Sequence, residues 1–255
     1  MSEQDNSTSP FASGGKTVYG ATVGILMLDT IFPRVPGDVG NAATWPFPVL
    51  YHVVQGASPQ RVVCDRAEGL LDAFVEAGRQ LVAQGADGLT TTCGFLALFQ
   101  EPLSRAVKVP VASSSLMQVP LVQQLLPDGR RVGVMTISSQ NLSVDHLRAA
   151  GAPEDTPVIG TENGREFSRC ILENRTRMDL AACRLDLLES GRQLLTEHPD
   201  VGAVVLECTN MGPYAGDLRR ELGIPIFSAV SFISWFQSGL LPHPYTGTTA
   251  DPRFP

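Results

Sequence analysis

The sequence has no apolar run near the ~20 residues a membrane span needs, so no membrane partner is expected. Its opening stretch, MSEQDNSTSPFASGGK, lacks a basic start and an apolar core and does not read as a secretory signal. Basic residues are few: 19 Lys and Arg against 26 Asp and Glu leave a formal charge of −7, which argues against nucleic acid as a partner. The five cysteines are odd in number and form no CxxC pair, which fits a reducing compartment, the cytoplasm, better than a disulfide framework. His52, His146, His198 and His243 have no ligand spacing, so no metal site is expected. The glycines make neither GxGxxG nor a P-loop, so no nucleotide cofactor is expected. Small-molecule chemistry remains open, because local loops bind anions even in an acidic protein.

What is present suits one large or two small α/β units. The 255 residues are 43% hydrophobic and 18% charged, the balance of a soluble globular protein. Residues 1–16, polar and rich in Gly and Ser, read as a disordered tail. TVGILMLD (22–29) is an apolar run with β-branched members, a buried strand. Residues 30–49 are dense in Pro, Gly and Asn; too irregular for a helix and long for a connection, they read as a functional loop or lid. Val63, Ala67, Leu70, Leu71, Phe74 and Leu81 predict a helix over 60–84. Strands are predicted at 89–92 and 109–113, and helices at 95–106 and 116–126, the last ended by Pro127-Asp128-Gly129. The second half reads as strand 131–136, helix 139–150, a long helical stretch over about 164–196, strand 203–206, helix 211–222, strand 224–230 and helix 231–240. Residues 241–255 have no periodicity and are expected to wrap the surface or stay loose.

Strands alternating with helices mean parallel sheets flanked by helices. The two halves also match each other. Cys93 is followed 17 residues later by Pro110, and Cys208 likewise by Pro225. An offset of 115 (208 − 93) carries residue 88 to 203 and runs without a gap through residue 118. It pairs Leu103 with Leu218, Arg105 with Arg220 and Ser113 with Ser228. The expected fold is therefore α/β with two pseudo-symmetric lobes. The first lobe spans 17–127 with a C-terminal segment returning to it, and the second spans 128–240. Ligand in open parallel sheets sits at the carboxyl ends of the strands, where both cysteines fall, so the site is expected in the cleft between lobes.

A thiol at a strand end and helix start meets the positive end of the helix dipole, which is expected to lower its pKa. Two such thiols on opposite cleft walls suit proton transfer at a carbon next to a carboxylate: one removes the proton, the other delivers one to the opposite face. Backbone N–H groups near Gly94 and Thr209 are placed to hold the carboxylate, with the side chains of Thr91, Thr92, Ser113, Thr209 and Asn210 beside them.

These motifs, TTCGF at 91–95 and ECTNM at 207–211, resemble those of the aspartate/glutamate racemase superfamily over about residues 20–240. That superfamily includes hydantoin racemases, arylmalonate decarboxylases, maleate isomerases and an algal-type dimethylsulfoniopropionate lyase. The resemblance implies two α/β lobes, no cofactor, Cys93 and Cys208 as an acid/base pair, and a homo-oligomer. There are departures. Gly94-Phe95 stands where the glutamate and aspartate racemases commonly carry Asn-Thr, Asn210 replaces an ionisable residue, and Asp29-Thr30 leads into the long loop instead of an Asp-Ser-Gly motif. Substrate identity is therefore not inherited from glutamate racemase. Residues 36–49 look like the corresponding part of the algal-type lyase branch.

The leading expectation is a cofactor-independent racemase acting on an amino acid or related small carboxylate. The alternatives are β-elimination at the same site, decarboxylation of a disubstituted malonate, and a non-catalytic small-acid binding protein. Several residues carry two readings each. Asp29 orients a substrate ammonium group or caps a turn; Asn41 closes over the cleft, as Trp45 does, or packs within its loop. Ser138 binds a carboxylate or caps a helix; Asn210 contacts substrate or caps a helix. Glu207 reads as a strand-end carboxylate held by hydrogen bonds, and Cys64, Cys170 and Cys183 as core thiols.

Overall fold

The computed structural model describes residues 13–243, so 1–12 of the tail predicted at 1–16 and 244–255 of the tail predicted at 241–255 lie outside the described residues. The chain runs through β1 (Val23–Leu28), β2 (Val49–Val54), α1 (Pro59–Val63), α2 (Leu71–Gln84), β3 (Gly88–Thr91), α3 (Gln100–Val107), β4 (Val111–Ala112) and α4 (Val119–Leu125). It continues with β5 (Arg131–Thr136), α5 (Val144–Ala149), β6 (Val158–Gly160), α6 (Phe167–Leu172), α7 (Leu180–Glu197), β7 (Val201–Leu206), α8 (Ala215–Leu222), β8 (Ile226–Phe227) and α9 (Ala229–Leu240).

Two four-stranded parallel sheets result, ordered β2-β1-β3-β4 and β6-β5-β7-β8. The second order is the first with each strand advanced by four, so the lobes share one topology. The offset of 115 holds residue for residue: α3 starts at 100 and α8 at 215, and β4 and β8 start at 111 and 226. Both α3 and α8 end on a left-handed residue, Lys108 in one lobe and Gly223 in the other. Leu103 and Leu218, paired by the same offset, are both fully buried.

Two strands and several helix limits differ from the sequence expectation. β2 and β6 are edge strands; β2 is mostly half-buried and β6 has three residues, so neither makes the continuous apolar run that marks a central strand. The helix predicted over 60–84 divides into α1 and α2, because Arg66, Ala67 and Gly69 all take positive φ between them. The stretch at 164–196, whose sequence leaves room for one break, has it between α6 and α7, with Asn174 at φ 53° in the break. The helix predicted at 139–150 shrinks to α5, which starts on a Ser143–His146 capping box.

α9 packs on the first sheet: a Cβ on Gly88 of β3 would come within 2.6 Å of Phe236 and 2.7 Å of Leu240. Ala229 and Ile233 of α9 form a small apolar cluster with Val23 and Ile25 of β1 and with Val39 and Trp45 of the 30–48 loop. The loop is thereby held on the first lobe and reaches over the carboxyl ends of the strands.

Candidate active site

β3 ends at Thr91 and β7 at Leu206, and each thiol stands two residues farther on. Cys93 and Cys208 each precede a tight 3-10 turn, over Gly94–Phe99 and Thr209–Tyr214. Local bonds fix both positions. Leu28 N–H donates to the Thr92 hydroxyl at 3.0 Å, Thr91 donates its hydroxyl to the Ser113 carbonyl at 2.7 Å, and Cys93 N–H donates to Thr91 Oγ1 at 3.2 Å. The Thr209 hydroxyl donates across the lobes to the Thr92 carbonyl at 2.7 Å. Ser115 donates its hydroxyl to the Leu206 carbonyl at 2.7 Å, joining the lobes a second time.

Both thiols line one pocket with Arg34, Thr92, Glu207 and Asn210 as its other polar members. The remaining wall is hydrocarbon, chiefly Leu28, Phe32, Val63, Phe95, Ile137 and Ile171. The enclosed space is about 20 Å³, which holds about one water molecule.

Three groups shape the site beyond the expected site residues: Arg34 and Asp38, which the sequence did not single out, and Glu207, read there only as a strand-end carboxylate. Arg34 lies over the Phe32 ring, 4.5 Å from its centroid, and donates to Asp38 at 2.7 Å and to Thr30 Oγ1 at 3.1 Å. Those bonds take two of the five guanidinium N–H donors; the others have no protein partner among the described residues. Asp38, 2% exposed, accepts from Arg34, from Gly40 N–H and, through its second oxygen, from the Asn210 amide. Asn210 Oδ1 in turn accepts from the Cys208 thiol at 3.4 Å. Thus the 30–48 loop reaches the second cysteine through Asp38 and Asn210. Glu207 is the third group. Its Oε2 accepts from the Thr136 hydroxyl at 2.7 Å, while Oε1 is buried without a partner among the described residues. A Cβ on Gly94 would meet that Oε1 at 2.2 Å, so the first lobe approaches the carboxylate closely because residue 94 has no side chain.

The electrostatics reverse one expectation. Burial raises both thiol pKa values, and the neighbouring Glu207 charge raises them further. The N–H groups of Phe95 and Asn210 favour the thiolates, one residue beyond Gly94 and Thr209, but desolvation outweighs them. The thiols are not equivalent: Arg34 favours the Cys93 thiolate, whereas Asp38 and Cys93 disfavour that of Cys208. Burial pushes Glu207 up to about 7, against the bonds from Thr136 and the Ile137 N–H.

Of the residues singled out in the sequence, Cys93, Cys208, Thr92, Gly94, Asn210 and Glu207 line this pocket. Thr209 sits beside it and holds the lobes together. Asp29 accepts from Gly56 N–H at 3.1 Å, Asn41 caps the short turn Ala42–Thr44, and Ser138 accepts from Asn141 at 2.8 Å; none of the three lines the pocket. Arg34 and Asp38 lay inside a stretch with no periodic pattern. For Glu207 there was a signal: a carboxylate ending an otherwise apolar strand, next to a cysteine. No group of His, Cys, Asp or Glu among the described residues has metal-holding geometry, and no helix there is long and apolar enough to cross a membrane.

Comparison with known proteins gives relatives of three activities. By sequence, the dimethylsulfoniopropionate lyase of Durusdinium sp. clade D is 25% identical over 237 residues, spanning 89% of this chain and 77% of the lyase. By structure, allantoin racemase from Klebsiella pneumoniae aligns over 90% of this chain and 97% of its own, with TM-score 0.59 and 18% identity. A mutant of arylmalonate decarboxylase in a sulfate-associated form aligns over 89% and 97%, with TM-score 0.58 and 17% identity. No family model matches the chain. The chain shares the two-lobed α/β fold of allantoin racemase and arylmalonate decarboxylase.

Proposed function

We propose that this chain is a lyase that removes a proton α to a carboxylate and expels a β-linked thioether, as in cleavage of dimethylsulfoniopropionate to acrylate and dimethyl sulfide. The observation that carries this reading is the pocket itself: two thiols and one arginine against a hydrocarbon wall. A cysteine thiolate takes the α-proton, and the C–H electron pair becomes the Cα–Cβ double bond. The C–S bond breaks with its pair on sulfur, so a sulfonium leaves as a neutral sulfide. Arg34 offers its remaining N–H donors to the substrate carboxylate and stabilises charge building on it as the proton leaves. Leu28, Phe32, Val63, Phe95, Ile137 and Ile171 suit the methyl groups of a sulfonium, which needs no hydrogen-bond acceptors, better than an ammonium, which needs three. Similarity to the Durusdinium lyase over most of both chains supports the same choice.

One observation favours racemisation as a second reading. Elimination needs a single base, whereas this site has thiols from opposite lobes, the arrangement that delivers a proton to the opposite face. Proton NMR of the protein in deuterium oxide with dimethylsulfoniopropionate, and separately with pooled amino acids, decides between them. Vinyl signals of acrylate are expected. Loss of an amino acid's α-proton signal without a new product would replace the lyase by a racemase, and no change in either sample would sink both.

A further inference from the structure

A buried thiol that is to act as a base must first give its proton to something, and the pocket has room for about one water. Asp38 is bonded to Arg34, Gly40 and Asn210, and the Asn210 amide is not a base. Glu207 remains. It is fully buried, lines the pocket with both thiols, has one oxygen fixed by Thr136, and has the other unpartnered against the Gly94 backbone. A partnerless buried carboxylate oxygen is costly unless it has a use. We propose that Glu207 is the base that takes the proton of Cys93, generating the thiolate that acts on substrate.

Charge is conserved in this step. The S–H bond of Cys93 breaks, its electron pair stays on sulfur, and the proton forms an O–H bond at Oε1 of Glu207. One buried negative charge moves from carboxylate to sulfur and no second one is created. The charge that raises the Cys93 pKa is removed by the same event, and the thiolate gains the Arg34 guanidinium and the Phe95 N–H as partners. The ionisable groups facing this exchange are Cys93 from the first lobe, Cys208 from the second, and Arg34 and Asp38 from the 30–48 loop. Thr136, Ile137 and Ser115 contribute only neutral donors. After elimination Cys93 holds the substrate proton and Glu207 still holds the proton it took from the thiol; Glu207 releases that proton to solvent when the pocket opens, which restores the carboxylate for the next cycle.

The inference rests on the thiol chemistry proposed above but not on the substrate, so its test uses iodoacetamide in place of one. The rate of Cys93 alkylation, read by peptide mass spectrometry from pH 5 to 10, is compared for the wild type, Glu207→Gln and Glu207→Asp, each checked for folding by its melting temperature. With Glu207 as base, the wild type has a limb in its pH profile near 7. Glu207→Gln loses that limb and reacts at least ~100-fold more slowly at pH 8, the low end of general-base contributions. Glu207→Asp keeps the limb at a reduced rate. If Glu207 only repels the thiolate, Glu207→Gln reacts faster above about pH 7, where the carboxylate is charged; that result, or an unchanged rate, overturns the proposal. Should Glu207→Gln not fold, Glu207→Asp decides, since a profile without any limb near 7 is equally fatal. Failure of the NMR experiment would remove the elimination reaction while leaving this test intact.

Discussion

The Thr209 hydroxyl donates to the Thr92 carbonyl at 2.7 Å, one residue after one thiol and one residue before the other. Both residues are buried, at 3% exposure each, so no water replaces the bond if it is lost. The bond sets the spacing of the two thiols directly. Thr209→Val keeps the shape and removes the donor. We expect it to cost about 1–3 kcal/mol in urea unfolding, the penalty of an unsatisfied buried carbonyl, and to lower turnover although both thiols remain. Stability and turnover equal to wild type would mean that the lobe spacing is fixed elsewhere.

The two thiols face different charges, which predicts an order of reaction. Arg34 favours the Cys93 thiolate, while Asp38 and a donated bond to Asn210 keep the proton on Cys208. As pH is raised, alkylation of Cys93 is expected to come first, with at least a few-fold difference in rate. Mass spectrometry of the two peptides reads it, and equal rates or the reverse order would contradict this assignment of unequal roles.

How much of this was visible in the sequence follows from what each feature depends on. β1, β3, β5 and β7 are central strands buried on both faces, and their apolar runs announce them. The thiol positions and the lobe repeat are also sequence properties, because the offset of 115 is a count along the chain. β2 and β6 were not legible, since His52 interrupts the apolar run of β2 and β6 has only three residues. The Arg34–Asp38 pair sits in a loop whose shape is set by contacts with β1 and α9, which no local pattern encodes. The upward shift of the thiols was missed because a strand-end position suggests the helix dipole but says nothing of depth, and depth dominates here.

Arg34 pairs with Asp38 and, in the proposed lyase, holds the substrate carboxylate; a second substitution at Asp38 separates the two. Its ion pair with Asp38 is buried, with 10% and 4% of the side chains exposed. Arg34→Met leaves Asp38 an unpaired buried charge and is expected to cost about 3–5 kcal/mol. Adding Asp38→Asn to that variant removes the stranded charge and recovers part of the loss. Neither variant regains the carboxylate anchor, so KM stays raised by at least ~10-fold in both. A double variant with wild-type KM would show that the carboxylate binds elsewhere.

Gly94 is required by its neighbour. A methyl group there would lie 2.2 Å from Glu207 Oε1 and 2.6 Å from the Glu207 carbonyl oxygen. Gly94→Ala therefore forces the first 3-10 turn away from the second lobe and parts Cys93 from Glu207. A stability loss of about 1–3 kcal/mol, the range for overpacking, is expected together with loss of the pH limb near 7 in Cys93 alkylation. Retention of that limb would mean that the thiol and carboxylate do not depend on this contact.

Glu207 also makes folding stability depend on pH, with a definite sign. Its pKa rises from 4.5 to about 7 on folding, so between those values the native state binds the proton that the unfolded state has lost. The stability this group contributes is full below about pH 4.5 and disappears as pH rises through about 7. The change is worth roughly 3 kcal/mol for this fully buried group. His146 works in the opposite direction: burial lowers it to about 4, so its contribution is present above 6.5 and is lost on acidification. The raw stability curve mixes both, and the difference between wild type and Glu207→Gln isolates the first. That variant, which has no proton to bind, is expected to gain roughly 3 kcal/mol on the wild type between pH 4.5 and 8 in urea titrations. A constant difference across that interval would mean that Glu207 titrates in the folded protein as it does in the unfolded chain, and that its burial is not felt as charge.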